Sequence, residues 1–360
     1  MEIPFVGRLR ELESIRDRSK LQQVKPHFIY GPEGCGKTRL FIEAVRRFSE
    51  WFDDGLAVYV NAEEARDPRR IFYIAVGRGV RVSRGVRDLV ASAIRAALDY
   101  LGVPEASLSG SAVALAITPI LERFYLKLKL SGVQRILLVI DEPARYIEVK
   151  ELNGYAKTLY NKMSFRWEGE AFYGRILNIY ALTSEGLSRD LLSRHSYVGQ
   201  DFVWNLSREE YEELYHRLLE IYRPENPSRI AGFDEVWRLY GGNPRRLMEL
   251  AIEHSWDVKT HLERIYDEKK IPRIVYVAKK EGLLDKLRAV TEDPDNIYKM
   301  HGMLELINIL VRENLVIEMP SGRGIGGVEI PRDRGLGIGR YWAWQVPVYR
   351  ELVARALEEI

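Results

Sequence analysis

A lysine and a threonine at the end of a glycine-rich stretch have the clearest chemical potential in this sequence. Residues 31–38 read GPEGCGKT and fit the pattern G-x-x-x-x-G-K-[ST], in which main-chain N–H groups surround phosphate oxygens. The pattern needs glycine because a Cβ would block so close an approach. In it, Lys37 reaches the β- and γ-phosphates and the Thr38 hydroxyl ligates Mg²⁺. The stretch therefore predicts a site for a nucleotide and Mg²⁺, although a glycine-rich turn with an exposed lysine would give the same letters.

The flanking residues have the composition of a strand before this loop and of an amphipathic helix after it. Residues 27–30 are HFIY, and residues 39–45 carry apolar side chains at helical spacing. A phosphate in the loop would lie at the N-terminus of the helix, where free N–H groups and the helix dipole favour negative charge. The predicted nucleotide-binding residues of the loop are Gly31, Pro32, Glu33, Gly34, Cys35, Gly36, Lys37, Thr38 and Arg39.

Two carboxylates follow a second apolar run. Residues 135–142 read RILLVIDE, which predicts a buried strand of a parallel sheet with Asp141 and Glu142 at its carboxyl end. Asp141 is expected to hold Mg²⁺ through water, and Glu142 to be the base that orients and polarises an attacking water. A strand that merely ends in two solvated acids is the alternative.

Composition limits the class of protein. The chain has 360 residues, a formal net charge of +2 and one cysteine, Cys35, so an intrachain disulfide is impossible. The length suggests two or three domains, and the near-neutral charge gives no case for a nucleic-acid or membrane partner. No apolar stretch approaches the ~20 residues that span a bilayer, and the first residues lack the pattern of a signal peptide. We expect a cytoplasmic protein without a transition-metal site, since the six histidines have no ligand spacing.

Further apolar runs predict the rest of an α/β core. Three of them have the length and composition of strands: 56–61, 175–184 and 197–206. Residues 9–21 have helical spacing. From about Arg70 to Lys129 the pattern turns helical, most clearly at 86–101 and 112–128. These elements predict a parallel sheet flanked by helices.

Beyond the last predicted strand, the sequence becomes helical. Ser207 and Glu210 form the capping box S-x-x-E of a helix that runs to about Tyr222. Residues 240–247 read YGGNPRRL, a glycine turn that opens another helix with proline in its first turn. We predict a small helical lid in this region.

After Lys259 the pattern changes again. Helical spacing at 273–289 and 297–312 precedes two apolar runs around a glycine-rich segment, 315–319 and 341–346, and a last helix at 348–359. Helices followed by a two-stranded ribbon are typical of a winged helix, which often binds DNA and also packs against proteins. Residues 259–360 contain 17 Lys and Arg against 16 Asp and Glu. Only the ribbon tip is locally basic, with Arg323, Arg332, Arg334 and Arg340.

Taken together, these motifs resemble those of a known family. The start FVGR at 5–8, GPEGCGKT, LLVIDE, the strand at 175–184 and GGNPRRL are similar to the motifs of archaeal-type P-loop ATPases in the AAA+ and STAND (initiator-like) groups. The resemblance covers roughly residues 3–255 well, and the tail only in outline. It implies an α/β fold: a P-loop parallel-sheet ATPase core, a helical lid and a C-terminal winged-helix domain, at 1–205, 206–258 and 259–360.

The resemblance also implies contacts with the nucleotide, ATP or ADP. Phe5 and Val6 would border the adenine, and Arg8 would lie near the nucleotide. Pro244 would pack near the adenine, and Arg245 would be sensor 2, the arginine that contacts the γ-phosphate.

Two further positions follow from the same resemblance. Thr183, or Ser184 beside it, matches the polar residue called sensor 1, although Glu185 stands where many relatives have arginine. An arginine finger from a neighbouring subunit would raise turnover, and Arg166 and Arg175 lie where such a finger could be placed.

The reaction implied is hydrolysis of ATP to ADP and phosphate, with Lys37, Mg²⁺ and Arg245 stabilising the transferring phosphoryl group. Turnover is expected to be slow and to drive a conformational switch that docks another protein. Two alternatives remain. One is a DNA-associated ATPase for replication, recombination or mobile-element work that binds duplex DNA through 259–360; the other is a nucleotide-binding scaffold without significant turnover. The sequence identifies neither the protein partner nor the oligomeric state.

Overall fold

The computed structural model describes residues 3, 5–61, 72–79, 132–142, 149–163, 175–183, 196–224, 230–320 and 323–360. These residues form two units, each with its own internal contacts. The sheet unit comprises the described residues of Leu9–Tyr30 and Lys37–Asp201, and the helical unit those of Met1–Arg8, Gly31–Gly36 and Phe202–Ile360. The helices predicted at 86–101 and 112–128, together with Arg166, Ser184 and Glu185, lie outside the described residues.

The sheet unit is built on strands that are mostly the apolar runs of the sequence. They are β1 (His27–Tyr30), β2 (Gly55–Asn61), β3 (Phe72–Val76), β4 (Arg135–Asp141), β5 (Ile176–Leu182) and β6 (Gly199–Phe202). The order across the sheet is β3-β2-β4-β5-β1-β6, and the pairs β2–β4, β4–β5 and β1–β5 are parallel. Every residue of β4 after Arg135 is buried, as expected for a parallel strand covered on both faces. The predicted α/β fold with a parallel core sheet is confirmed.

One predicted element of this unit is wrong. The chain does not turn helical at about Arg70, because Phe72–Val76 forms β3, which runs antiparallel to β2. Tyr73 is exposed and Ala75 is buried at the edge of the sheet. Such an antiparallel edge strand needs only a few residues that pair with their neighbour, so the longer helical pattern around it concealed it.

The described residues of the sheet unit include three helices: α1 (Leu9–Arg18), α2 (Lys37–Trp51) and α3 (Val149–Met163). Along α2 the buried residues include Leu40, Ala44 and Phe48, which recur every fourth position and form one face. That face lies on the sheet, where the Phe41 ring is 5.1 Å from the ring of Tyr180 in β5. The helix after the glycine-rich loop is therefore present as predicted, and its first residue is Lys37.

The helical unit consists of helices around one apolar core. They are α4 (Arg208–Ile221), α5 (Phe233–Tyr240), α6 (Pro244–Ile252), α7 (Val258–Glu268), α8 (Ile271–Lys280), α9 (Leu284–Glu292), α10 (Asn296–Lys299), α11 (Leu304–Arg312) and α12 (Pro347–Glu358). The core takes Tyr211 and Leu250 from the predicted lid and Val275, Leu310 and Val353 from the predicted winged-helix region. The two regions share this core, and the boundary near residue 258 stays a prediction.

Local signals explain where several helices begin and end. The capping box at the start of α4 is formed as predicted, with Ser207 and Glu210 each bonding to the main chain of the other. The single helices predicted at 273–289 and 297–312 are each two helices. Gly282, with a φ of +67°, directly follows the C-cap of α8 in the left-handed conformation. In the second pair, Met300 ends α10 in an extended conformation, and Gly302, also with a φ of +67°, lies in the turn before α11.

The predicted two-stranded ribbon is present. Strands β7 (Val316–Glu318) and β8 (Trp342–Trp344) are antiparallel, with Ile317 opposite Ala343. Trp344 is fully buried, so this end of the ribbon belongs to the core of the unit. Among the residues that the structure describes, no helix has the length and apolar character needed to cross a bilayer.

Candidate nucleotide-binding site

The carboxyl ends of three parallel strands lie at one edge of the sheet unit. Leu182, the last residue of β5, is aligned with Asp141 at the end of β4 and with Ile29 near the end of β1. Polar residues follow these ends in the sequence. Ligands of open α/β sheets bind at this edge, because the loops and helix N-termini gather there.

The Thr38 hydroxyl and the Asp141 carboxylate meet at this edge. Thr38, in the first turn of α2, donates through Oγ1 to Asp141 Oδ2 over 2.8 Å. Hydroxyl and carboxylate oxygens are the ligands that Mg²⁺ prefers, so this donor set fits the predicted metal. Lys37, beside Thr38, is 95% buried, which is rare for a lysine and brings its charge to the same helix N-terminus.

A third side chain joins this pair. Tyr59, in β2, donates its phenolic hydroxyl to Asp141 Oδ2 over 2.5 Å. Tyr59 and Asp141 are both buried. The carboxylate is therefore held by two hydroxyl donors, one from α2 and one from the neighbouring strand.

Glu142 and Thr183, the predicted base and the predicted sensor 1, follow the ends of neighbouring strands. The main-chain N–H of Glu142 donates to Leu182 O over 2.9 Å, and that of Thr183 donates to Ile29 O over 3.0 Å. Glu142 has a φ of +49°, a left-handed conformation that is uncommon outside glycine and occurs often at functional sites. Both residues lie at the edge that carries Asp141, and their chemical roles stay predictions.

Two arginines of the predictions lie elsewhere in the sheet unit. Arg39 is half-buried on α2. Arg175 donates through Nε to Val133 O over 2.9 Å, just before β5 begins. This contact is at the amino end of β5, the opposite end of the strand from Thr183.

In the helical unit, Gly31–Gly36 form the first part of the phosphate-binding loop. Gly34 and Gly36 have φ of +76° and +94°, which only glycine adopts readily. A Cβ on Gly34 would lie 2.6 Å from Arg245 Cβ, whereas one on Gly36 would lie 3.7 Å from Pro244 Cγ. The loop therefore packs closely against the start of α6, the segment that carries the predicted adenine and γ-phosphate contacts.

The other loop residues have structural roles that are visible directly. Pro32 accepts a hydrogen bond through its carbonyl from Cys35 N over 3.2 Å, which closes a tight turn. Cys35 is fully buried, with Sγ 3.4 Å from Val203 O. This is the environment of a small packed side chain.

Arg8 holds this loop from one side. Its guanidinium donates through Nη2 to Cys35 O over 2.7 Å and to Trp204 O over 2.6 Å. Its main-chain N–H donates to Glu210 Oε1 over 2.8 Å, so the capping-box carboxylate also fixes Arg8. Arg8 thus positions the main chain of the loop, and its contact with a nucleotide stays a prediction.

The two residues before it in the FVGR motif pack differently. Val6 is buried in the core of the helical unit, and Phe5 is half-buried. Their contact with an adenine ring also stays a prediction.

Glu33 connects the loop to three other segments of the helical unit. Its carboxylate pairs with Lys269 (Nζ to Oε2, 2.7 Å) and with Arg245 (Nη1 to Oε1, 3.1 Å). Its main-chain N–H donates to Gln345 Oε1 over 2.7 Å, and its carbonyl accepts from Asn243 Nδ2 over 2.9 Å. Burial alone would raise the pKa of Glu33, but the charges of Lys269 and Arg245 outweigh it and hold the pKa below its ordinary value.

The neighbouring Arg246 forms a second, more deeply buried network. It is 97% buried and makes a bidentate pair with Glu268 (3.0 and 3.1 Å) and a 2.6 Å contact with Glu249. Its Nη2 also donates to Tyr349 OH over 3.0 Å. These contacts join α6, α7 and α12. Arg245, by contrast, is half-exposed and pairs with Glu33 and Glu249.

Several residues that make these contacts within each unit were not predicted from the sequence. Asn243 had a local signal, since asparagine before proline at a helix start is a good N-cap, and its Oδ1 does accept from Arg246 N. Tyr59, Lys269 and Gln345 had none, because nothing near them in sequence indicates what they contact.

Comparison with known proteins gives one family match. Residues 5–250 match the model of a family described as an ATPase domain predominantly from Archaea. No curated protein sequence matches the chain significantly.

Two solved structures from Aeropyrum pernix are similar at low levels. The ORC2 protein in its ADPNP-ADP complexes has 15% identity and a TM-score of 0.45, with 99% of this chain and 96% of that chain covered. The ORC1 protein in complex with DNA has 14% identity and a TM-score of 0.41, with 99% and 94% covered.

Proposed function

The chain belongs to the family of ATPase domains predominantly from Archaea, and from that premise we propose that it is a nucleotide-operated switch. It binds ATP with Mg²⁺, hydrolyses it slowly to ADP and phosphate, and uses the difference between the two states to dock another protein. The supporting observation is the set of contacts through which Glu33 ties the phosphate-binding loop to Arg245, Lys269 and Gln345.

The chemical step uses residues at the edge of the sheet unit. Lys37 would contact the β- and γ-phosphates, and Thr38 and Asp141 would hold Mg²⁺, which would neutralise negative charge on these phosphates. Glu142 accepts a hydrogen bond from the attacking water and orients it in line with the leaving oxygen. Thr183 is the candidate for a polar contact to the γ-phosphate or to this water. The 2.8 Å contact between Thr38 and Asp141 supports this assignment.

We expect slow turnover from the arginines that could stabilise the transferring phosphoryl group. An arginine finger contributes ~10³-fold or more in related reactions. Among the described residues, Arg175 donates to a main-chain carbonyl at the amino end of β5. We therefore assign the stabilising arginine to Arg245 and expect the nucleotide state, rather than rapid turnover, to be the useful output.

The switch depends on competition for Arg245. In the structure this half-exposed guanidinium pairs with Glu33 of the loop. A γ-phosphate is a stronger partner than a carboxylate because it carries more charge and more acceptor oxygens. ATP would draw Arg245 away from Glu33, whereas ADP would not. The lid and the 259–360 region would then respond through Lys269 and Gln345.

Deuterium exchange tests this switch directly. In the wild type we expect ATP and ADP to give different protection in peptides of 259–360. Glu33→Gln should weaken or abolish that difference while ATP still binds. Glu263→Gln, an exposed glutamate of α7, is the matched control and should behave as the wild type. Equal exchange with ATP and ADP in the wild type would exclude the switch. A pull-down in the two nucleotide states would then identify the partner.

A second candidate function is a DNA-associated ATPase. Arg332, Arg334 and Arg340 are all exposed in the segment between β7 and β8. Arg340 lies over the ring of Tyr341 at 5.1 Å, and Tyr341 stacks on the exposed Tyr298 at 4.6 Å. Affinity for duplex DNA that falls steeply with salt, and is lost when the three arginines are changed to alanine, would favour this function. Acidic Asp293 pairs with Arg334, which reduces the basic character of the segment.

The remaining alternative is a scaffold that binds nucleotide without turnover. Phosphate release decides it. Wild type and Glu142→Gln would release phosphate at equal, near-zero rates if the protein were a scaffold, whereas the proposed ATPase requires a measurable wild-type rate that Glu142→Gln lowers.

A further inference from the structure

The register between β2 and β4 places the Tyr59 hydroxyl next to Asp141. It is opposite Val139 in the parallel pair β2–β4. Val139 and Asp141 are two residues apart, so their side chains point to the same face of the sheet. Tyr59 shares that face, and a phenol is long enough to reach the level of the next residue on it. The hydroxyl accordingly lies 2.5 Å from Asp141 Oδ2.

The face in question is the one covered by α2. Tyr180 of β5, also opposite Val139, contacts Phe41 of α2, and Thr38 of α2 donates to the same Asp141 oxygen as Tyr59. Tyr59 and Asp141 are each 95% buried. Water therefore has little access to this carboxylate oxygen, and protein hydroxyls determine its orientation.

The two donors have different proposed roles when the metal binds. The Thr38 oxygen is itself a proposed ligand, so one of its lone pairs would face the metal. The Tyr59 hydroxyl is not a proposed ligand, and its bond to Asp141 is compatible with both states. Outer-shell donors of this kind fix the orientation of a metal ligand.

We propose that Tyr59 is a positioning residue for the magnesium site: its hydroxyl holds the Asp141 carboxylate in the orientation that receives the hydrated ion. This inference rests on the proposed function, in which Thr38 and Asp141 hold Mg²⁺. In this proposal Tyr59 exerts its effect through the Asp141 carboxylate.

The experiment measures how much Mg²⁺ is needed to strengthen ATP binding. The affinity of a fluorescent ATP analogue is measured in EDTA and over a series of Mg²⁺ concentrations. Tyr59→Phe should raise the half-saturating Mg²⁺ concentration about 10- to 100-fold, the usual effect of losing an outer-shell partner, and leave the affinity in EDTA unchanged. Hydrolysis is not needed for this readout.

Tyr180→Phe is the matched control. It removes a buried phenolic hydroxyl from the same row of the sheet, but the charged neighbours of that phenol are Arg18 and Asp201. Its half-saturating Mg²⁺ concentration should equal that of the wild type. An unchanged Mg²⁺ requirement in Tyr59→Phe, or an equal increase in both variants, would overturn the proposal.

A second measurement does not depend on removing the hydroxyl. 3-Fluorotyrosine placed at position 59 keeps the donor and the shape of the side chain. Its ¹⁹F resonance should shift when Mg²⁺ is added to the ATP complex, and the absence of a shift would contradict the proposal. If Mg²⁺ does not strengthen ATP binding even in the wild type, the magnesium site itself is wrong. A normal wild-type response with an unchanged Tyr59→Phe overturns only the role of Tyr59.

Discussion

The sheet unit and the helical unit hold their polar residues in different ways. In the sheet unit, Asp141, Glu142 and Thr183 lie at the ends of paired strands. The backbone hydrogen bonds between the strands therefore fix the positions of these residues along the strand direction. In the helical unit, Gly31–Gly36 are held by side chains from distant parts of the chain. Gln345, for example, accepts from Glu33, which is 312 positions earlier.

This difference predicts how each unit responds to a single substitution. A strand ladder distributes its stability over many main-chain bonds, so a change of one polar side chain at its end should remove chemistry and leave the fold intact. A buried ionic network concentrates its contribution to stability in a few charged side chains. Losing one of them leaves an uncompensated charge away from water, which is strongly destabilising.

The sharpest test of the sheet unit is Lys37→Ala. This change should abolish ATP binding at concentrations that saturate the wild type, because each charge-assisted contact to a phosphate contributes up to about 3 kcal/mol. Calorimetric titration measures it, with the Tm of the variant as the check on folding. Unchanged affinity would disprove the assignment of the loop.

The next test removes chemistry from the same edge without removing binding. Glu142→Gln should lower the rate of phosphate release about 10²- to 10⁴-fold, the usual contribution of a general base. ATP affinity and Tm should stay near those of the wild type. A variant that hydrolyses ATP at the wild-type rate would show that another group orients the water.

Two adjacent arginines test the helical unit. Arg246→Met should destabilise it by about 3–5 kcal/mol, because it leaves the partners of a buried charge unpaired. Arg245→Met should lower stability by no more than about 1 kcal/mol, since that side chain is half-exposed. The two free energies of unfolding are measured by denaturant titration. Equal values would show that the buried network around Arg246 does not concentrate the stability of the helical unit.

A carboxylate of the sheet unit gives a smaller effect than Arg246 and refines the contrast. Burial alone would raise the pKa of Asp201, but hydrogen bonds from His27 and Arg18 outweigh it and lower the pKa to about 2. Since this is below the ordinary value of 3.8, the ionised carboxylate stabilises the fold above about pH 4. That contribution, about 2 kcal/mol, is lost as the pH falls toward 2.

Asp201→Asn isolates this contribution. The variant should be less stable than the wild type at about pH 5, and the gap between them should shrink as the pH falls from about 4 to 2. Denaturant titrations at several pH values measure the gap. A gap independent of pH would mean that the ion pair contributes nothing beyond packing.

Much of the fold was predictable because its signals are local. The apolar runs of β1, β2, β4 and β5 are continuous, as strands buried on both faces require. The edge strand β3 was missed because five residues within a longer helical pattern carry too little signal. The splits of the helices predicted at 273–289 and 297–312 were missed because apolar spacing continues across the short turns that contain Gly282 and Gly302.

The sequence by itself determined the family, the α/β core with its phosphate-binding loop, and the two acids at a strand end. Each of these depends on residues that are close together in the chain. Only the tertiary structure decided that Tyr59 donates to Asp141, that Arg8 supports the loop, and that Glu33 pairs with Lys269. A hydrogen bond or ion pair requires two groups within a few ångströms, and folding chooses that partner from anywhere along the chain.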